Sequence, residues 1–248
     1  MIRDPRGGHN RKAINEDFFK VWSPKMSYAL GFLFADGSLL NTSKSSRTFY
    51  VSFTNNDLSL LEQMRSAMKS SHQIYIRPPR FMKPRGKQYL SKAGYVLRIG
   101  NRVMHQDLLN LGLEHRKSNI MHLPEVPDEY FSYFLRGYFD GDGCINTYLA
   151  KRRITVILTL LFTSGSVLFL SQLADRLHRL LNIDTPHYYK STGAHNLECK
   201  GLKAVKILNY MYADLDKAPY LERKYLKYRE YMDNQMGSRI KARLATFG

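Results

Sequence analysis

The chain repeats itself over a long interval, and that repeat limits what it can fold into. Residues 133–145 read YFLRGYFDGDGCI and residues 28–39 read YALGFLFADGSL. Aligned on Gly31 and Gly137, each gives apolar residues, a glycine, more apolar residues, a small residue and then Asp-Gly. Asp36 and Asp142 stand 106 residues apart (142 minus 36), so the repeated unit is long.

Each copy has the apolar density and length of a buried helix, and each ends at Asp-Gly, where glycine is expected to take a left-handed stop. On such a helix Gly31 and Ala35 share one face, as do Gly137 and Gly141. Small residues there remove the side chains that hold helices 8–10 Å apart, so the two backbones should pack unusually close. Asp36 and Asp142 then arrive side by side at one end. A carboxylate at a helix C-terminus opposes the macrodipole, and two neighbouring carboxylates repel. A divalent cation between them offsets both penalties, and an oxygen-rich site suits Mg²⁺.

These residues resemble the LAGLIDADG homing endonuclease motif. ALGFLFADG (29–37) and LRGYFDGDG (135–143) each fill its nine positions, with the metal-binding eighth position at Asp36 and Asp142. The first copy departs at the sixth, where Phe34 replaces an acid. Two motifs in one chain resemble the monomeric, pseudo-symmetric branch of the family, and the likeness runs from about residue 22 to 231. It implies a site-specific double-strand DNA endonuclease. Asp36 and Asp142, with the backbone carbonyls of Ala35 and Gly141, would hold the metal. Mg²⁺ is the expected cofactor; Mn²⁺ is expected to substitute, and Ca²⁺ to bind without supporting cleavage. The products implied are a 3′ hydroxyl and a 5′ phosphate, with short 3′ overhangs. The family also places polar residues around the attacking water. Asn55 and Ser164 match the strand-end positions and Lys200 the lysine, whereas the first half offers Gly100 there, between Arg98 and Arg102.

Composition narrows the partner. A formal charge of +17 and a pI near 9.8 are the footprint of a polyanion ligand. No apolar run reaches the ~18 residues of a spanning helix, so duplex DNA is expected rather than a membrane, with no obligate protein partner. Cys144 and Cys199 have no metal-type spacing, the stretch 1–15 is polar and basic rather than a signal peptide, and an intracellular, unsecreted protein is expected. The histidines 105, 115, 187 and 195 show no zinc spacing.

The remaining text supplies two copies of one plan. Ser23-Pro24 opens the first motif helix. Residues 48–53 alternate strictly, as a strand does, with residues 38–44 as its partner. A helix over 57–69, strands over 73–77 and 94–99 and a helix over 104–111 complete the unit. Residues 77–92 form a basic loop, with Arg77, Arg80, Lys83, Arg85, Lys87 and Lys92 uninterrupted by any acid. The second half repeats the order: helix 128–142, strands 144–148 and 153–162, helix 166–181, strands 187–191 and 196–199, then helices 202–212 and 220–231. This predicts an α+β chain of two pseudo-symmetric αββαββα units, with a basic extension (1–22), a first unit (23–117), a linker (118–127) and a second unit with a basic tail (128–248).

Paired strands fit the major groove, so each four-stranded sheet is expected to form half of a DNA-binding saddle. Alternation assigns Leu40, Thr42, Lys44, Thr48, Tyr50, Ser52, Tyr75, Arg77 and Arg98 to that face in the first unit. In the second it assigns Asn146, Tyr148, Arg153, Thr155, Ile157, Thr159, Tyr189, Asn196 and Glu198. Two other activities fit the same scaffold: an RNA maturase, and a catalytically silent DNA-binding regulator. Retention of both motif acids favours the nuclease.

Overall fold

The computed structural model describes residues 12–41, 49–83, 86, 88–114, 120–150, 155–184, 187–191 and 193–245. Helix α1 (Pro24–Ala35) starts where the sequence sets its cap: Ser23 Oγ accepts from the Met26 N–H at 3.2 Å and Pro24 takes the first helical position. Strands β1 (Ser38–Asn41) and β2 (Phe49–Asn55), helix α2 (Leu58–Ala67), strands β3 (Ile74–Arg77) and β6 (Gly94–Gly100) and helix α3 (Arg102–Asn110) follow. Between β3 and β6 the basic loop carries a two-stranded ribbon, β4 (Phe81–Met82) with β5 (Tyr89–Leu90). Its strands are too short to give a period that alternation can detect.

The second unit follows the same order: α4 (Asp128–Asp142), β7 (Gly143–Ala150), β8 (Thr155–Ser164), α5 (Val167–Leu181), β9 (His187–Ser191), β10 (Ala194–Lys200) and α6 (Leu202–Met211). Helix α7 (Glu222–Ala245) runs further than the 220–231 read from sequence. Each unit builds one antiparallel four-stranded sheet, ordered β1-β2-β6-β3 and β7-β8-β10-β9. The strand orders correspond element for element, as the repeat requires.

The motif helices α1 and α4 pack against each other, and the glycines explain how. A Cβ on Gly31 would overlap the Phe134 carbonyl oxygen, and one on Gly137 would overlap the Tyr28 carbonyl oxygen. Residues 28 and 134, like 31 and 137, are 106 apart, so these two contacts are images of each other about a pseudo-two-fold axis. Ala35 and Gly141 are also such a pair, and they meet on the axis: a Cβ on Gly141 would overlap that of Ala35. One methyl fits there and two do not, so the seventh motif position is alanine in one copy and glycine in the other.

The segment between the units packs on the second. Met121 and Val126 are buried. Ser166 Oγ donates to the Met121 carbonyl at 2.7 Å, and the Leu123 N–H donates to Gln172 Oε1 at 2.8 Å. Asp128, at the start of α4, is held by Arg176 and Arg179 of α5.

Candidate metal centre and nucleic-acid face

Both motif acids come to the same end of the helix pair. Asp36 caps α1, its N–H donating to the Phe32 carbonyl at 3.0 Å, and Asp142 is the last residue of α4. The position a Gly141 Cβ would take lies 3.3 Å from the Asp36 backbone nitrogen, so the two terminal turns touch. Tyr138 reports the same proximity: burial pushes its phenol up, Ser164 beside it pulls the other way, and the charges of Asp142 and Asp36 both push it further up.

The expected left-handed stop is not how either helix ends. Gly143 has φ −90, and Gly37 is not among the residues of positive φ. Both are glycine for lack of space. A Cβ on Gly37 would overlap the Leu33 side chain, and one on Gly143 the Phe139 ring, because the chain folds straight back over the last helical turn into β1 or β7.

Among the described residues no three His, Cys, Asp or Glu gather into a metal site. An ion here would be held by two carboxylates, the carbonyls of Ala35 and Gly141, water and a ligand's own oxygens. That all-oxygen, partly hydrated set is the kind Mg²⁺ accepts. The donor chemistry therefore fits a hard divalent cation.

Sequence reasoning passed over Lys224 of α7. Its side chain is buried, 4% exposed, and its ammonium donates to three carbonyls at the end of α4: Phe139 at 2.5 Å, Asp140 at 3.1 Å and Gly143 at 2.7 Å. Burial, against the pull of Asp140 and with a smaller push from Arg223, brings its pKa down to about 8. Asp140 is buried too; its Oδ2 accepts from the Tyr28 hydroxyl at 2.7 Å and the Leu221 N–H at 2.8 Å. Burial raises the Asp140 pKa against the pull of Lys224 and these donors. Arg136, also buried, donates to the carbonyls of Met211, Asp214 and Ala218. One face of α4 is thus clamped by the segment leading into α7. Lys224 belongs to no repeat and sits on a strongly polar helix, so no local pattern marks it.

Of the three residues assigned to the attacking water, Asn55 and Ser164 close their strands at the motif end of each sheet, and Lys200 lies further along its own. Asn55 Oδ1 accepts from the Asp57 N–H at 2.9 Å, and Ser164 Oγ from the Ser166 N–H at 3.1 Å. Each forms the turn into the following helix, so the two are structural equivalents, with these acceptors engaged. Lys200 lies opposite Thr159, three register positions beyond Leu197, which faces Phe162 and through it Gly143. That displaces it from the motif by about 10 Å along the strand. Its ammonium pairs with Glu198 at 2.8 Å, the hydrogen bond that raises its pKa.

The outward strand positions are mostly open, although β3, β9 and the far end of β7 are exposed on both faces. Leu40, Tyr75, Tyr148 and Tyr189 are exposed, as are Arg77, Arg80, Lys83, Lys92, Arg98 and Asn146; Tyr50, Ile157 and Glu198 are half-buried. Arg98 stacks its guanidinium over the Tyr50 ring at 5.6 Å. Ser52, Thr159 and Asn196 depart from the expectation. They sit at outward positions yet are 4–5% exposed, because small side chains on a sheet are covered by larger neighbours. Asn196 also spends both ends of its amide internally, accepting from Thr163 Oγ1 at 2.8 Å and donating to Ser191 Oγ at 3.0 Å. Thr42, Lys44, Thr48, Arg85, Lys87 and Arg153 lie outside the described residues, and of Thr155 only the backbone is described.

A family model for a LAGLIDADG-like domain matches residues 129–210. No curated protein sequence matches. Among solved structures, the LAGLIDADG meganuclease I-CpaMI bound to uncleaved DNA aligns with a TM-score of 0.55 at 12% identity, covering 88% of this chain and 93% of that one. The homing endonuclease I-LtrWI bound to target DNA aligns at 0.53 and 14%, covering 90% and 92%. Variants of the homing endonuclease I-DmoI align at 0.54 and 14%, covering 86% and 99%. At such identities the likeness is one of fold.

Proposed function

With residues 129–210 a LAGLIDADG-like domain inside a chain-long meganuclease fold, we propose that this protein is a site-specific double-strand DNA endonuclease acting as a monomer. Its units would span about 23–117 and 128–248. The observation that carries the reading is the meeting of Ala35 and Gly141 at the pseudo-two-fold axis, which supports Asp36 and Asp142, the next residue in each copy, as neighbours where the sheets of both units begin.

Each acid opens directly into the first strand of a four-stranded sheet whose outer face is aromatic, polar and cationic. A duplex laid along both sheets brings one phosphate of each strand to the axis, where the acids stand. Asp36, Asp142 and the carbonyls of Ala35 and Gly141 would hold the divalent ion, Mg²⁺ in our reading. When bound, it would polarise the phosphate and lower the pKa of an attacking water. Lys224 fixes the carbonyls of Phe139, Asp140 and Gly143 around Gly141 and sets a positive charge against the unfavourable end of the α4 dipole. The cationic ribbon from Arg77 to Lys92 supplies backbone contacts that position the duplex without reading it. Cleavage across the minor groove with short 3′ overhangs follows from the family resemblance.

Cleavage of a randomised duplex library with Mg²⁺, with Ca²⁺ and with Asp142→Asn tests this. Discrete Mg²⁺-dependent cuts with short 3′ overhangs, absent in the variant, are expected. Binding without cutting under every metal would indicate a silent regulator, and no duplex binding at all would redirect attention to structured intron RNA.

A further inference from the structure

Glu198 is the only acid in any described strand of the protein, and it lies on the face assigned to DNA. Its register neighbours there are Leu161 and His187. The side chain is 14% exposed, its Oε2 standing 2.8 Å from Lys200 Nζ and 4.0 Å from His187 Nδ1. Lys200 also lies 6.0 Å from the Tyr148 ring centre. A partly exposed ion pair adds little to stability, and an acid beside phosphates is repelled. Both facts leave the carboxylate unexplained unless something in the groove donates to it.

Among base edges in the major groove only the amino groups of cytosine and adenine donate. In a base pair each amino group is hydrogen-bonded to the keto oxygen of its partner, at about 2.9 Å. The Glu198–Lys200 pair presents an acceptor and a donor at the complementary spacing, 2.8 Å. An acceptor set over the amino group and a donor over the keto oxygen therefore match one base pair edge-on.

The flanking groups decide which pair. With A·T, the carboxylate would meet adenine N7, another acceptor, and the ammonium would meet the thymine methyl. With G·C, the ammonium meets O6 and N7 of guanine together, and the carboxylate meets N4 of cytosine with no acceptor beside it. Resting on the DNA-endonuclease reading, we propose that Glu198 and Lys200 together read one G·C pair in the major groove, Lys200 on guanine and Glu198 on cytosine. It lies in the half-site covered by the second sheet, where Glu198 stands one register position and Lys200 three beyond Gly143, about 3 and 10 Å along the strands.

The test is selection of bound duplexes from a randomised library by wild type, Glu198→Gln and Lys200→Met. The wild type should fix G·C at one position of the second half-site, at about 10- to 100-fold over other pairs. Lys200→Met should relax that position alone. Glu198→Gln should move it from cytosine toward adenine, whose N6 and N7 suit a carboxamide. A wild type that selects a discrete site while both variants leave every preference unchanged would overturn this inference and spare the endonuclease reading. Equal weakening on all sequences with a shallower salt slope would likewise reduce the pair to a phosphate contact. A wild type that selects no duplex would remove both readings together.

Discussion

Gly31 and Gly137 place backbone against backbone where a methyl group has no room, and the obstacles are carbonyl groups rather than movable side chains. Gly31→Ala and Gly137→Ala should each destabilise the fold by about 3 kcal/mol, near the upper end for overpacking. Ala35→Gly removes the one methyl on the axis and should cost only about 1 kcal/mol, the helix-propensity difference. Urea unfolding measures all three; a Gly31→Ala variant within 0.5 kcal/mol of wild type, on the order of a neutral surface change, would contradict the packing described. Lys224 gives a second test. Its folded pKa of about 8 lies below the ordinary 10.5, so between those values the unfolded chain binds more protons and stability rises with pH. Below pH 8 the cost of burying the charge is fully present. Wild type should therefore gain on Lys224→Met between pH 8 and 10.5, by at most about 3 kcal/mol, read as the difference of two urea titrations.

At the scale of elements, the two strand-to-helix turns are built alike. Asn55 Oδ1 and Ser164 Oγ each accept the N–H two residues on, and Asp57 and Ser166 cap α2 and α5 with their side chains. Asn55→Ala should lower stability by about 1 kcal/mol, the ordinary worth of such a hydrogen bond, and thermal unfolding would read it. A slower cut at unchanged stability would instead support the water-positioning role that the family resemblance assigns. Helix pairing, strand alternation and the order of both units were legible in the sequence because each rests on periodicity or on a repeat 106 residues long. Those patterns also anticipated the close approach of Ala35 and Gly141 at one end of the helix pair. What escaped depends on tertiary crowding. Gly37 and Gly143 carry a steric requirement that looks in sequence like a turn preference, and Ser52, Thr159 and Asn196 are covered by neighbours that alternation does not see. Lys224 is brought to the motif by a helix 82 residues downstream (224 minus 142), with no local pattern to announce it.

For the whole molecule, charge and symmetry make separable predictions. A net charge of +17 should give steeply salt-dependent DNA affinity, since each neutralised phosphate releases counterions. Arg80→Ala or Lys83→Ala, both exposed in the ribbon, should weaken binding alike on all sequences and lower the slope of log K against log salt by about 1. Loss of affinity on one sequence only would mean that the ribbon reads bases. The acids act at the opposite end of that scale. Both stand against one axis, and neutralising either changes the total charge by a single unit, which barely alters attraction to a polyanion. Removing one carboxylate, however, takes away half of the charged donors available to a cation at the axis. Asp36→Asn and Asp142→Asn should therefore keep target affinity within about threefold, well under the one tenfold step that 1.4 kcal/mol represents, while each abolishes the double-strand cut. Gel shift and cleavage of the same labelled duplex measure the two properties together. Full cleavage by either variant would remove that acid from the metal centre, whereas joint loss of binding and cutting would make the carboxylate a structural group.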